Sequence, residues 1–173
     1  MRKHHPKNER IKRAYFAYLE EARRKARKSV DQAAADLADF EASTGYRDFA
    51  AFHIEQARAY KRKLNEQTNP ATGKPLAKAT IHSRLMNLKA FFVWLAGQPG
   101  CRRIRYSDAD YFNPSANDSR IATARRERPA PTIEQVRHAI GAMPAGTDIE
   151  KRDRALIAFA ILTGMRDDAI ASL

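Results

Sequence analysis

Residues 80–97 read TIHSRLMNLKAFFVWLAG, and this stretch decides the fold class. Ile81, Leu85, Leu88, Phe92 and Leu95 recur at the three- and four-residue spacing of one helical face. Met86, Phe91, Val93 and Trp94 extend the apolar surface round the cylinder. A helix apolar on so much of its circumference belongs at the centre of a bundle. Its aromatic residues are therefore read as core, ahead of base-stacking groups. Thr80 is its expected cap.

Upstream, the turn-rich TNPATGKPL (68–76) separates this helix from one expected over about residues 48–67, through Phe49, Phe52, Tyr60 and Leu64. Before that, Ser29 with Gln32 three residues on reads as a capping box, and Gly45 as a helix stop. The helix between them sets Val30, Ala33, Ala34, Leu37 and Phe40 on one side and Asp31, Asp36 and Asp39 outward. Residues 8–27 place Ile11, Tyr15, Tyr18 and Ala22 at helical spacing.

Downstream, residues 97–131 are rich in Gly, Pro, Ser and Arg, with a short turn of helix near residues 107–112. They read as a domain edge followed by a linker. Thr132 with Gln135 makes a further capping box, opening a helix through Val136, Ile140 and Met143. Residues 150–163 form an apolar helix through Leu156, Ile157, Phe159, Ala160 and Ile161, ended by Gly164. DDAIASL begins another, and a core helix this close to the terminus suggests a truncated second domain. The expectation is all-α: a helical domain over 8–112, a basic linker over 113–131, and the first helices of another domain over 132–173. No internal repeat and no strand signal appears.

The formal net charge of +12 is unevenly divided. Residues 1–28 hold eleven Lys/Arg against three acids, residues 29–57 one against six, and residues 58–105 eleven against one. Residues 106–131 balance at four each, and residues 132–173 have five against six. A solvated face usually mixes its signs, so these blocks suggest a surface that tracks phosphates; a basic surface that serves only solubility is the ordinary alternative. Nucleic acid is the first partner to expect. No apolar run approaches the roughly 20 residues that span a bilayer, so no membrane partner is expected.

The opening MRKHHPKNERIKR lacks an apolar segment behind its charges and does not read as a secretory signal. Cys101 is the only cysteine, which excludes an intrachain disulfide and a Cys-rich metal site and fits a reducing cytoplasm. His4 and His5 are adjacent, while His53, His82 and His138 stand alone, so no metal site is expected. No Gly-rich phosphate loop or Ser/His/Asp set is present, and no cofactor is expected.

The order of these features resembles the tyrosine recombinase (phage integrase) family. Thr80-Ile81 through Leu85, Leu88 and Phe91-Phe92 is similar to the T-I-x-x-x-L-x-x-L-x-x-F-F helix of its core-binding domains. Asn113-Pro114 and a basic linker follow. Pro131-Thr132-Ile133-Glu134-Gln135-Val136 resembles the L-T-x-E-E-V opening of the family's catalytic domain. Arg152-Asp153-Arg154-Ala155-Leu156, continuing to Leu162-Thr163-Gly164-Met165-Arg166, resembles R-D-x-A-L…L-x-T-G-x-R.

The resemblance implies a SAM-like four-helix core-binding bundle, a linker and the first helices of a catalytic domain, from an enzyme that cleaves and rejoins duplex DNA through a 3′-phosphotyrosyl intermediate. It implies no metal or cofactor, self-association of the full-length parent on DNA, and a cytoplasmic, nucleoid-associated setting. Arg166 matches the first active-site arginine, whose guanidinium would stabilise phosphorane-like charge. From the residues alone, Arg166 follows Gly164 at a helix–helix turn, and a salt bridge to Asp167 or Asp168, or to the carbonyls that end the helix, is the favoured use for it; the resemblance favours the active-site role. The family's R-I-S-E-L reads here Arg166-Asp167-Asp168-Ala169-Ile170, so Ala169 stands where a supporting glutamate is usual. All six tyrosines precede Arg166, whereas the family's nucleophile lies far beyond it, so none is expected to be catalytic.

The charge blocks and the family's habit of laying core-binding helices on DNA nominate Arg58, Lys61, Arg62, Arg84 and Lys89, with linker Arg125, Arg126 and Arg128, as backbone contacts. His82 and Asn87 are the nearest candidates for base edges. A stand-alone helical DNA-binding regulator, or a basic protein-interaction module, are the alternative readings.

Overall fold

The computed structural model describes residues 4–124 and 130–172. The regular structure in them is helical, with one isolated bridge pairing Thr68 and Pro75, so the fold is all-α as the periodicities predict. The chain divides into two compact units near residue 125.

The first unit contains α1 (Pro6–Ala17), α2 (Arg27–Ser43), α3 (Ile54–Glu66), α4 (Lys78–Ala96) and α5 (Ala116–Thr123). Helix α4 is central: Ile81, Leu85, Leu88, Phe91, Phe92 and Leu95 are all buried. Phe92 lies 4.1 Å from Phe52, 5.2 Å from Phe112 and 5.5 Å from Phe40 between ring centroids. Such tilted, stacked and edge-on pairs add to the transfer free energy of burying the rings. The aromatic residues of α4 are core, as expected.

The stretch after α4 completes this core. Tyr106–Phe112 is a 3₁₀ helix that buries Ala109 and Phe112, and Cys101 and Ile104 are buried before it. Inside the 113–131 stretch expected as a linker, residues 116–123 are helical. Ser115 caps them by accepting from the Asp118 N–H at 3.0 Å, and Lys78 pairs with Asp118 at 2.9 Å to tie α5 to α4.

Several helix limits differ from expectation because tertiary contacts set them. The helix expected over 8–27 widens into a π turn at Tyr18–Ala22 and then ends, with Arg24 left-handed at φ 50°. Leu19, four residues after the buried Tyr15, is on the buried face, and Ala22 is exposed. Helix α2 starts on Ala26, three residues before Ser29, and the Gln32 amide donates to Asp36 at 3.0 Å instead of capping. Helix α4 likewise starts on Ala77, leaving Thr80 inside its first turn. The helix expected from residue 48 is split: a 3₁₀ turn, Phe49–Ala51, precedes α3, which His53 and Gln56 open as a capping box.

Polar groups also hold the first unit. Asn8 is fully buried; its amide donates at 2.8 Å to Glu41 and to the Arg47 carbonyl, and its oxygen accepts from the Phe49 N–H at 2.9 Å. Lys12 donates to the other oxygen of Glu41 at 2.8 Å, so this buried carboxylate is paired.

In the second unit, α6 (Ile133–Ala142), α7 (Asp148–Thr163) and α8 (Asp167–Ile170) contain no buried residue. The Thr132–Gln135 capping box forms as read from the sequence, Thr147 and Glu150 make a second, and Gly164 ends α7 in the left-handed region at φ 63°. Leu156, Ile157, Phe159 and Ile161 are exposed, and Leu162 is 87% exposed.

Candidate nucleic-acid interface

The nominated residues of α3 and α4 fall into two groups. Arg58, Lys61 and Lys89 converge on residues 110–113. Arg58 pairs with Glu55 and lies 5.0 Å from the centre of the Tyr111 ring, a cation–π arrangement. Lys61 donates to the Asn113 carbonyl at 2.8 Å. Lys89 donates to Asp110 at 2.8 Å and to the Asn113 side chain at 2.9 Å, and its hydrogen bond holds the Asp110 carboxyl below its ordinary range. These pairs are exposed and exchange readily with another anion. Arg62 is exposed on the same helix and has no ion pair among the described residues.

The second group faces inward. Asp36, expected to point outward, is only 3% exposed. It accepts from Asn87 at 2.7 Å and from Gln32 at 3.0 Å, and Arg84 lies 3.8 Å from it and 3.7 Å from Asp39. Burial works against the charge on Asp39, but hydrogen bonds from Lys63 and Tyr60 outweigh it and hold that carboxyl below its usual range. Burial, reinforced by Asp39, pushes the Tyr60 phenol up. Arg84 and Asn87 therefore neutralise and satisfy acids of α2, and Asn87 does not present a free amide to a base edge. This corrects the outward placement of Asp36, whose burial is tolerable because two amides donate to it and the Arg84 guanidinium lies close by. His82 is half-buried and makes no side-chain hydrogen bond among the described residues. Arg125, Arg126 and Arg128 lie outside the described residues.

In the second unit, Arg166 occupies the capping position of α8 with an extended backbone and an exposed side chain. No ion pair joins it to Asp167 or Asp168 among the described residues. Its guanidinium is thus presented at the turn after Gly164. No group of three or more potential metal ligands exists among the described residues, and no helix there is long and apolar enough to cross a membrane.

One basic element escaped the residue-by-residue nominations. Arg23, Arg24, Lys25, Arg27 and Lys28 are all exposed between the π turn and the start of α2. The signal was present as the cationic surplus of residues 1–28, but a continuous helix over 8–27 spread it round a cylinder.

Comparison of the chain with family models, curated proteins and solved structures found no match.

Proposed function

We propose that this chain binds duplex DNA as the helical DNA-binding part of a site-specific tyrosine recombinase, with its first unit as a SAM-like core-binding domain and its second as the start of the catalytic domain. The observation that supports this most is the partition of charge. The positive excess belongs to the helical bundle and the stretch just after it, while residues 132–173, which contain the T-G-x-R element, have five cations against six acids. A basic bundle suits the gripping of phosphates, and an exposed Arg166 in the second unit suits contact with one. Strand cleavage and rejoining would belong to the whole enzyme, because Arg166 is the one residue here that matches its catalytic set.

Binding of a labelled duplex across a salt series tests the reading. Affinity should fall with salt at a log–log slope of magnitude about 4 or more, as for a protein displacing counterions from at least that many phosphates. A salt-independent affinity, or no binding at about 50 mM salt, would overturn it. Replacing Arg58, Lys61 and Arg62 by Gln should lower the slope by about 1–3. On a nicked suicide substrate the chain should form no covalent adduct; an adduct would assign nucleophilic chemistry to a tyrosine preceding Arg166.

A further inference from the structure

Cations on α3 and α4 are largely engaged within the chain, whereas those of the sequence ARRKARK at residues 22–28 are not. Arg23, Arg24, Lys25, Arg27 and Lys28 are exposed, and none makes an ion pair or a side-chain hydrogen bond among the described residues. The cause lies in the backbone. On a continuous helix, Glu20 and Arg24, and Glu21 and Lys25, would stand four residues apart and pair. The π turn and the left-handed Arg24 end the helix at that point and withdraw both partners.

The same break loads the start of α2 with like charge. Ala26 offers no side-chain cap, the first turn contains no acid, and Arg27 and Lys28 lie in it. Cations at the positive end of a helix dipole are unfavourable, and an anion placed among them relieves the repulsion. Beside the turn, an open groove of about 440 Å³ is lined by Arg23 and Lys25 together with Tyr18, Ser29 and Trp94. It offers room for a sugar–phosphate unit next to the cations.

We infer that the 23–28 turn, with this groove, is a phosphate-backbone contact for DNA, separate from the edge of α3. The inference rests on the DNA-binding reading above and assigns the largest electrostatic share of that binding to a loop. Five cations in six residues, with no acid among residues 22–30, match a polyanion of closely repeated charge.

The test compares three variants of the full chain in the duplex-binding salt series. R23Q/R24Q/K25Q should lower the slope by about 2–3 and the low-salt affinity at least about tenfold, each lost phosphate contact being worth about 0.9 in slope. R102Q/R103Q, which removes exposed charge elsewhere, should change it by less than about 1. R27Q/K28Q should weaken DNA binding yet raise the melting temperature by roughly 1–5 °C, because it removes repulsion at the α2 terminus. A misfolded variant loses both properties, so opposite signs separate a contact from damage. A slope change under about 1 for R23Q/R24Q/K25Q, or equal losses in it and in R102Q/R103Q, would overturn the inference. If the unaltered chain itself shows no salt-dependent binding, the DNA reading falls with it; normal binding with an indifferent loop defeats the loop alone.

Discussion

In the first unit, helices α2 and α4 begin on alanines without a side-chain cap, yet α4 alone buries six large apolar residues. In the second unit, α6 and α7 each begin on a complete capping box and bury none. These two pairs of helices reach the same secondary structure by opposite routes. A cap is worth about 1 kcal/mol, whereas a fully buried Leu or Phe is worth about 1.5–3 kcal/mol. Packing therefore starts α2 and α4 without a side-chain cap, local signals alone start α6 and α7, and α3 has both a capping box and the buried Tyr60 and Leu64.

The largest test of this contrast is Phe92→Ala. It should cost about 3–5 kcal/mol, because the ring fills the space between Phe40, Phe52 and Phe112. Trp94 is the only tryptophan, so its fluorescence in urea reports the first unit alone, and its midpoint should fall sharply. Leu162→Ala, at a position 87% exposed, should stay within about 0.5 kcal/mol. Equal effects would erase the distinction between the regions.

Asn8→Ala should destabilise the first unit by about 3 kcal/mol, since it strands one oxygen of the buried Glu41 carboxylate and two backbone groups. The same fluorescence melt measures it. Alkaline pH probes the core more gently. Burial, assisted by the neighbouring Tyr18, pushes the Tyr15 phenol up to about 12 from an ordinary 10.0, so ionisation favours the unfolded chain. That contribution is complete below pH 10 and fades towards pH 12. Tyr15→Phe should shrink the loss across this window by about 2 kcal/mol, read from urea midpoints.

The smallest effects sharpen the comparison most. Thr132→Ala and Thr147→Ala should each cost local helicity worth about 1 kcal/mol in the second unit, visible as faster amide exchange in α6 and α7. Ser29→Ala and Thr80→Ala, residues that cap nothing, should stay within about 0.5 kcal/mol.

What was legible in the sequence follows the same division. The α4 stripe, the turn at residues 68–76, the Thr132 box and the Gly164 stop were all readable, because each depends on neighbours a few residues away. Ser29 and Thr80 misled because their helices start where packing places them. Asp36 was read as outward since helical spacing cannot show that Asn87, fifty-one residues later, meets it. The candidate site was less legible than the fold. Lysines and arginines can be counted in a sequence, but whether Lys89 meets Asp110, or Arg24 loses Glu20, depends on contacts and breaks that spacing does not reveal.

Cys101 has a practical consequence. It is buried at 4% exposure, and burial, followed by the nearby Asp48, pushes its thiol up, so little thiolate meets the solvent while the first unit stays folded. A thiol reagent must wait for that unit to open. With a single sulfhydryl in the chain, each modification event records one opening, and its rate at low reagent concentration gives the population of the open state directly. The protein thus contains its own clock for fluctuations of its core, readable with no label introduced.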